Sequence, residues 1–282
     1  MLSVWRLITS KSPASAIPVT ISPAPASLDE ASRHLPSGAY TTLRTYSHKN
    51  VIRLSTHIAR LRESAILKGF DIEIDEKRIR EAIRWVLEQG EAGQEKRLRL
   101  TLDLSQMPGS VYLSIDELHV PPVFAYEQGI CVVTCDLHRV QPQAKLTDFI
   151  APASDYRQTL AVGINEALMV NSKGEILEGL SSNFFAIQGN KLITAGEDVL
   201  AGITRALVIN AARQLNLPVE YRAVQLSEIP QIDEAFITSA SRGILPVRQI
   251  DNFLIGNGHP GEITKTISAA FERLIENEQE AI

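Results

Sequence analysis

Apolar and polar positions alternate most regularly in RLRLTLDL, where Leu98, Leu100, Leu102 and Leu104 fall on one side of an extended chain. The stretch Met107–Ser110 (MPGS) turns the chain, and VYLSIDEL alternates again, so the two runs predict a hairpin. An earlier strand is predicted over Ala39–Tyr46, AYTTLRTY. Ser55 and Thr56 are candidate caps for the helical run HIARLRESAILKG, with Ile58, Leu61 and Ala65 on one face and Gly69 as the stop. Asp75 opens a second helix in which Ile79, Ile83 and Val86 are spaced for burial. These elements predict a compact α+β unit.

The pattern then breaks at HVPPVFAYEQG. Consecutive prolines cannot join a central strand, so this segment predicts a linker, with a smaller α+β domain over 1–121 and a larger strand-rich domain over 122–282. Beyond it, GICVVTC predicts a short buried strand. EALMV and EILEG flank the turn NSKG, and NFFAI and KLITA flank QGN, which predicts two further hairpins. TRALVINAARQLN is amphipathic and helical, EAFIT is a buried strand, and EITKTISAAFERLIENEQE closes the chain as a helix. Residues 13–36 are rich in Pro, Ala and Ser and predict an irregular or partly extended N-terminal arm. The first residues, MLSVWRLITSKSPASA, have the basic, serine-containing, acid-free composition of a transit peptide, but no signal-type cleavage pattern after a continuous apolar core.

Composition narrows the classes. The 282 residues are 44% apolar and 22% charged, ordinary for a globular protein. A net charge of −5 gives no reason to expect nucleic acid or an anionic membrane as partner. No apolar run is long enough to span a bilayer. Cys131 and Cys135 share one face of their strand and read as buried thiols in a reducing, cytoplasmic setting; no metal-ligand spacing involves them.

Candidate chemistry centres on LEGLSSNFF, where Glu178 lies in a strand-like run before a glycine and two serines. Downstream, AGITR (Ala201–Arg205) sets a glycine before an amphipathic helix, whose free first-turn N–H groups and dipole favour a phosphate; a simple helix cap reads the same way. Upstream, Lys145 lies in AKLTDF and Arg60 in HIARL. Each alone would ordinarily be a solvated charge. A lysine buried beside other cations becomes a nucleophile for a carbonyl, and an arginine fits a phosphate bidentately.

In their order and contexts, HIARLRESA, AKLTDF, EGLSSNFF, LAGITR and DEAFITSASRGILPV resemble the class IV, or fold-type IV, pyridoxal-phosphate enzymes. That group includes branched-chain aminotransferases, D-amino-acid aminotransferases and aminodeoxychorismate lyases. The resemblance runs from about Ala39 to Arg273 and implies a two-domain α+β fold with pyridoxal 5′-phosphate between the domains, and a homodimer. By position, Lys145 resembles the lysine that holds the cofactor covalently, and Glu178 the acid that pairs with the pyridine nitrogen. Arg60 resembles the phosphate-binding arginine. Ile203 and Thr204 match the phosphate cup, Ser239 and Ala240 a second turn beside it, and Tyr40 an aromatic position facing the substrate. Where many relatives have threonine, Ala240 offers only its backbone.

Departures bear on the substrate. Leu104 stands where the D-amino-acid enzymes carry an arginine, and Arg99 matches an arginine of the branched-chain enzymes. Asp148 and Phe149 follow the lysine at the shorter spacing of the D-amino-acid and lyase groups. The resemblance therefore implies transamination from a small L-amino acid, branched-chain-like or glutamate, to a 2-oxo acid. A lyase that eliminates pyruvate from aminodeoxychorismate, a D-amino-acid transaminase and a non-catalytic cofactor binder are the alternatives; the joint presence of Lys145, Glu178, Arg60 and AGITR argues against the last.

Overall fold

The computed structural model describes residues 2–90 and 93–282. Its contacts divide the chain into two compact units. The first is Met1–His119 with Ala144–Ser154 and Glu278–Ile282; the second is Val120–Gln143 with Asp155–Asn277.

The first unit contains β1 (Ser3–Ile8), β2 (Ser15–Pro18), α1 (Leu28–Arg33), β3 (Gly38–Arg44), β4 (Asn50–Ile52), α2 (Leu54–Leu67), α3 (Glu76–Gln89), β5 (Lys96–Asp103) and β6 (Val111–Glu117). Five strands form a sheet in the order β2-β1-β6-β5-β3. Leu98, Leu100 and Leu102 pack in one cluster with Leu54, Ile58 and Leu61 of α2 and Ile79 and Ile83 of α3, so the alternation of β5 and the helical periods bury the same core. The opposite face of β5 is buried too, through Arg99, Thr101 and Asp103.

The N-terminal arm is partly extended, through β1 and β2, and irregular between β2 and α1. The β1 strand lies inside the sheet between β2 and β6, and Ser27 caps α1 by accepting the Glu30 N–H at 3.1 Å. Its apolar Val4 and Leu7 are buried, which a proline- and serine-rich composition concealed. The helix expected to be capped by Ser55 or Thr56 begins at Leu54 instead. Its N-cap, Arg53, is left-handed and offers no side-chain cap, and Glu280 accepts the Leu54 N–H at 2.8 Å. Gly69, at φ +87°, does end this helix.

A single cut after Pro121 does not describe the units. Ala144–Ser154 belongs with the first because the chain there pairs with β3, the outer strand of the sheet. Leu146 bridges Ala39, and Ala144 and Leu146 enter the core. The last residues belong there as well. Gln279–Ala281 pairs with β4, and Ile282 is buried.

The second unit contains α4 (Val123–Gln128), β7 (Ile130–Cys135), most of the chain after the start of α5 (Ile150–Gln158), then β8 (Ile164–Val170), β9 (Glu175–Gly179), β10 (Ser182–Gln188), β11 (Lys191–Thr194), α6 (Ile203–Gln214), β12 (Val219–Tyr221), β13 (Val224–Gln225), β14 (Glu234–Ser239), β15 (Gly243–Ile250), β16 (Phe253–Leu254) and α7 (Glu262–Glu278). Both expected hairpins form, as β8–β9 and β10–β11. The expected linker is a helix for half its length, since Pro122 sits at the N-cap of α4, where its missing N–H costs nothing. The strands β10-β14-β15-β7-β8-β9 form a closed ring, because β9 also pairs β10 through Glu178 and Asn183. Closure leaves these strands without a free edge and fixes Glu178 in a ladder on both sides.

Gly38 sets how closely β3 approaches β5. A Cβ there would stand 1.8 Å from the Leu102 carbonyl oxygen, while the Gly38 N–H donates to Thr147 Oγ1 at 2.9 Å. Gly38→Ala is expected to lower the unfolding free energy by about 1–3 kcal/mol, the usual cost of forced overpacking. Urea unfolding measures it; a midpoint equal to the parent's would mean that this approach is not tight.

Candidate active site

In the first unit, Lys145 is fixed by its backbone. Its carbonyl accepts the Tyr40 N–H at 2.8 Å and its own N–H donates to Ser64 Oγ at 3.0 Å. The side chain is half-buried, with Nζ 4.6 Å from the Tyr40 ring centroid. The Arg99 guanidinium carbon lies 5.0 Å from the same centroid, so two cationic groups lie against Tyr40.

Arg60 lies on α2, where the strand β3 passes. Its Nη2 donates to Thr41 Oγ1 at 2.6 Å, and Thr41 Oγ1 is 2.6 Å from Nδ1 of His57, one helical turn before Arg60. All three are buried. No carboxylate forms an ion pair with Arg60 among the described residues, and its Nε has no hydrogen-bond partner. Burial lowers its pKa to about 10, against upward contributions from Tyr40 and Glu63. Burial, then Arg60 and Lys145, hold the His57 pKa well below the usual range. A neutral His57 suits the geometry: Thr41 accepts from Arg60 and has one proton left, which goes to Nδ1.

Arg99 is on the other face of the sheet from Thr41, since neighbouring side chains alternate and Thr42, not Thr41, pairs with Arg99. Its guanidinium donates to the Leu28 carbonyl at 2.8 Å, Ser32 Oγ at 2.7 Å and Asp29 Oδ1 at 2.7 Å, all on α1. The arm thus holds the arginine that flanks Tyr40.

In the second unit, Glu178 is 2% exposed. Its Oε2 accepts from Asn183 Nδ2 at 2.9 Å and from the Leu200 N–H at 3.3 Å, and its Oε1 is 3.1 Å from Arg139 Nε. A buried ion pair adds little net stability, but removal of one partner leaves an uncompensated charge. Asn183 also donates to the Leu200 carbonyl at 3.0 Å, so one amide ties the carboxylate to the approach of α6.

That approach explains the glycine of AGITR. Gly202 has an ordinary φ of −68°, but a Cβ there would stand 2.0 Å from Asn183 Oδ1. As N-cap it supplies no side-chain acceptor, and the first-turn N–H groups of Ile203 and Thr204 have no capping side chain. The β14–β15 turn carries Ser239 and Ala240. Ser239 Oγ accepts from Arg242 Nε at 3.0 Å, and Arg242 Nη2 pairs with the fully buried Glu166 at 2.9 Å. Glu166 also accepts from Ser181 and Ser182 of the SSNFF stretch, at 2.8 and 3.2 Å.

The structure therefore gathers Lys145, Tyr40, Arg60 and Arg99 in one unit, and Glu178, Ile203, Thr204, Ser239 and Ala240 in the other. Sequence reasoning missed Arg139, Asn183, Arg242 and Glu166, and the Thr41–His57 pair. Asn183, Arg242 and His57 lie inside stretches already singled out, though no role was assigned to them; Arg139, Glu166 and Thr41 carry no spacing signal of their own. Among the described residues, no cluster of His, Cys, Asp and Glu could hold a metal ion, and no helix is long and apolar enough to cross a membrane.

Comparison with known proteins gives a consistent picture. A Thermotoga maritima protein named a probable branched-chain-amino-acid aminotransferase is 29% identical over 255 residues, covering 88% of this chain and 90% of the relative. The D-alanine aminotransferase of Bacillus licheniformis is 27% identical over 255 residues, covering 86% and 88%. A crystal structure of a Thermotoga maritima protein under the branched-chain assignment superposes with a TM-score of 0.78 at 26% identity, covering 98% of this chain and 96% of that one. The family model described as amino-transferase class IV matches residues 38–250, and with it the chain belongs to the class IV aminotransferases, transaminases that work with pyridoxal 5′-phosphate.

Proposed function

We propose that the protein moves the amino group of a small L-amino acid, branched-chain-like or glutamate, to a 2-oxo acid, with the residues gathered above holding the cofactor. The observation that carries the site assignment is Arg60, a buried guanidinium with no anion of its own among the described residues. Such a charge is costly unless a ligand supplies the anion. A cofactor phosphate fits, and the uncapped first turn of α6 offers the N–H donors that a phosphate takes.

In this reading Arg60, the N–H groups of Ile203 and Thr204, and the turn of Ser239 and Ala240 hold the phosphate, Ala240 through its backbone alone. Lys145 carries the covalent link. When bound, the cofactor supplies an electron sink for negative charge at the substrate α-carbon. Glu178, fixed by Asn183, Leu200 and Arg139, holds a proton on the ring nitrogen by its charge. Lys145 Nζ, as a free amine, would take the proton from the substrate α-carbon and deliver it to the cofactor carbon that had carried the lysine link, the proton shift that transfer of the amino group requires. Tyr40 faces the substrate. Arg99, already held by α1, supports Tyr40 from behind. The same reading carries a homodimer acting in the cytoplasm, for which sedimentation of the purified chain and cell fractionation are the tests.

The L-donor is supported by Leu104, which stands without the arginine of the D-amino-acid enzymes, and by the branched-chain relatives. Addition of L-leucine, L-valine or L-glutamate without an acceptor is expected to bleach the absorbance of the bound cofactor, and 2-oxoglutarate to restore it. Bleaching by D-donors only would overturn the stereochemistry. Pyruvate from aminodeoxychorismate, with no bleaching by any L-donor, would replace transamination by elimination.

Glu178→Gln tests the electron sink separately. Gln keeps the shape and can accept from Asn183, but it lacks the charge. The variant is expected to retain cofactor and lose about a hundredfold or more in the rate of α-proton removal, the size typical of one lost electrostatic contact. Rapid-mixing kinetics at saturating cofactor read that step, and an unchanged rate would remove Glu178 from this role.

A further inference from the structure

We propose that Thr41 and His57 are positioning residues that aim Arg60 at the cofactor phosphate. The inference rests on the reading of Arg60 as a phosphate ligand. An arginine side chain has many rotamers, and fixing it before a ligand arrives removes that entropy cost from binding. Here the fixing comes from two elements. Thr41 on β3 accepts from Nη2 at 2.6 Å, and His57 on α2 holds the Thr41 hydroxyl at 2.6 Å. The Nη2···His57 Nδ1 distance of 3.5 Å shows that the three groups form one cluster, in which the threonine stands between helix and strand.

The partners are neutral, so they orient the guanidinium without cancelling its charge. Among the described residues, Nη2 makes the contacts to Thr41 and His57, and Nε is buried with no hydrogen-bond partner. That leaves the Nε–H and further guanidinium N–H groups for a fork of parallel contacts to two phosphate oxygens. His57 can play its part only while Nδ1 is unprotonated, and the groups that keep it so are the nearby cations, Arg60 and Lys145, together with burial. Thr41 is 0% exposed and His57 4%, so water does not substitute for either contact.

The test compares pyridoxal phosphate with pyridoxal, which lacks the phosphate, on the full-length chain. Thr41→Val keeps the shape and deletes the hydroxyl. It is expected to weaken pyridoxal phosphate by about tenfold, the size of one lost hydrogen bond to a charged group, and to leave pyridoxal affinity unchanged. Thr41→Ser is expected to restore affinity to within about twofold, and His57→Phe to behave like Thr41→Val. Arg60→Ala should cost about ten- to a hundredfold, and the Thr41→Val/Arg60→Ala double variant no more than Arg60→Ala alone, because both act through one guanidinium. Equal losses for pyridoxal and its phosphate in Thr41→Val would mean a general structural effect and overturn the proposal. So would parental affinity in Thr41→Val, or losses that multiply in the double variant. If Arg60→Ala weakens the phosphate form while Thr41→Val does not, Arg60 keeps its role and only its positioning by Thr41 falls. If Arg60→Ala binds like the parent, the phosphate reading of Arg60 falls with it.

Discussion

A buried cation with no carboxylate ion pair among the described residues is the constraint on which the first unit's share of the proposed site depends. Arg60 is lodged between α2 and β3, where, among the described residues, a threonine and a neutral histidine hydrogen-bond its guanidinium. A folded chain does not keep such a charge for stability, since an apolar residue of similar volume would cost less to bury. Its retention makes sense when a dianionic group binds beside it. Lys145 is held nearby by a different device. The loop that bears it bridges β3 at Leu146, and the Lys145 carbonyl accepts the Tyr40 N–H, so the lysine backbone is tied to the sheet edge and its side chain lies against Tyr40. Sites built on regular elements hold their side chains more tightly than sites on free loops.

In the second unit the closed ring of strands has the equivalent role for Glu178. Its strand is paired on both sides, and the carboxylate is then gripped by Asn183, the Leu200 N–H and Arg139. Asn183 joins the carboxylate to the start of α6, and Gly202 is small because Asn183 approaches it so closely. A change at any of these residues would move two parts of the proposed cofactor site together.

The sequence carried the ends of this network more clearly than its middle. Lys145, Glu178, Arg60 and the Gly-Ile-Thr helix start were legible because each lies in a short motif with its own local spacing. Arg139 and Arg242 were not. Arg139 in its loop reads as solvated, and Arg242, although inside DEAFITSASRGILPV, has no local sign of a partner; only contacts with Glu178 and Glu166, 39 and 76 positions away in the chain, give them a role. Thr41 was visible merely as one position of a strand. The strongly periodic elements formed as the pattern indicated, including α3 with its Asp75 cap and both hairpins of the second unit. The N-terminal strand escaped notice because its partner, β6, lies more than a hundred residues downstream, and the start of α2 because its capping carboxylate, Glu280, belongs to the final strand of the chain. Local composition cannot report either contact.

The claim on which the rest depends is that Lys145 carries the cofactor. Borohydride reduction of the holoenzyme, followed by proteolysis and peptide mass spectrometry, locates the attachment directly. The adduct is expected on the peptide that contains AKLTDF, at Lys145. An adduct on Lys173 or Lys191 instead, or a reduced protein with no covalent cofactor, would contradict the assignment.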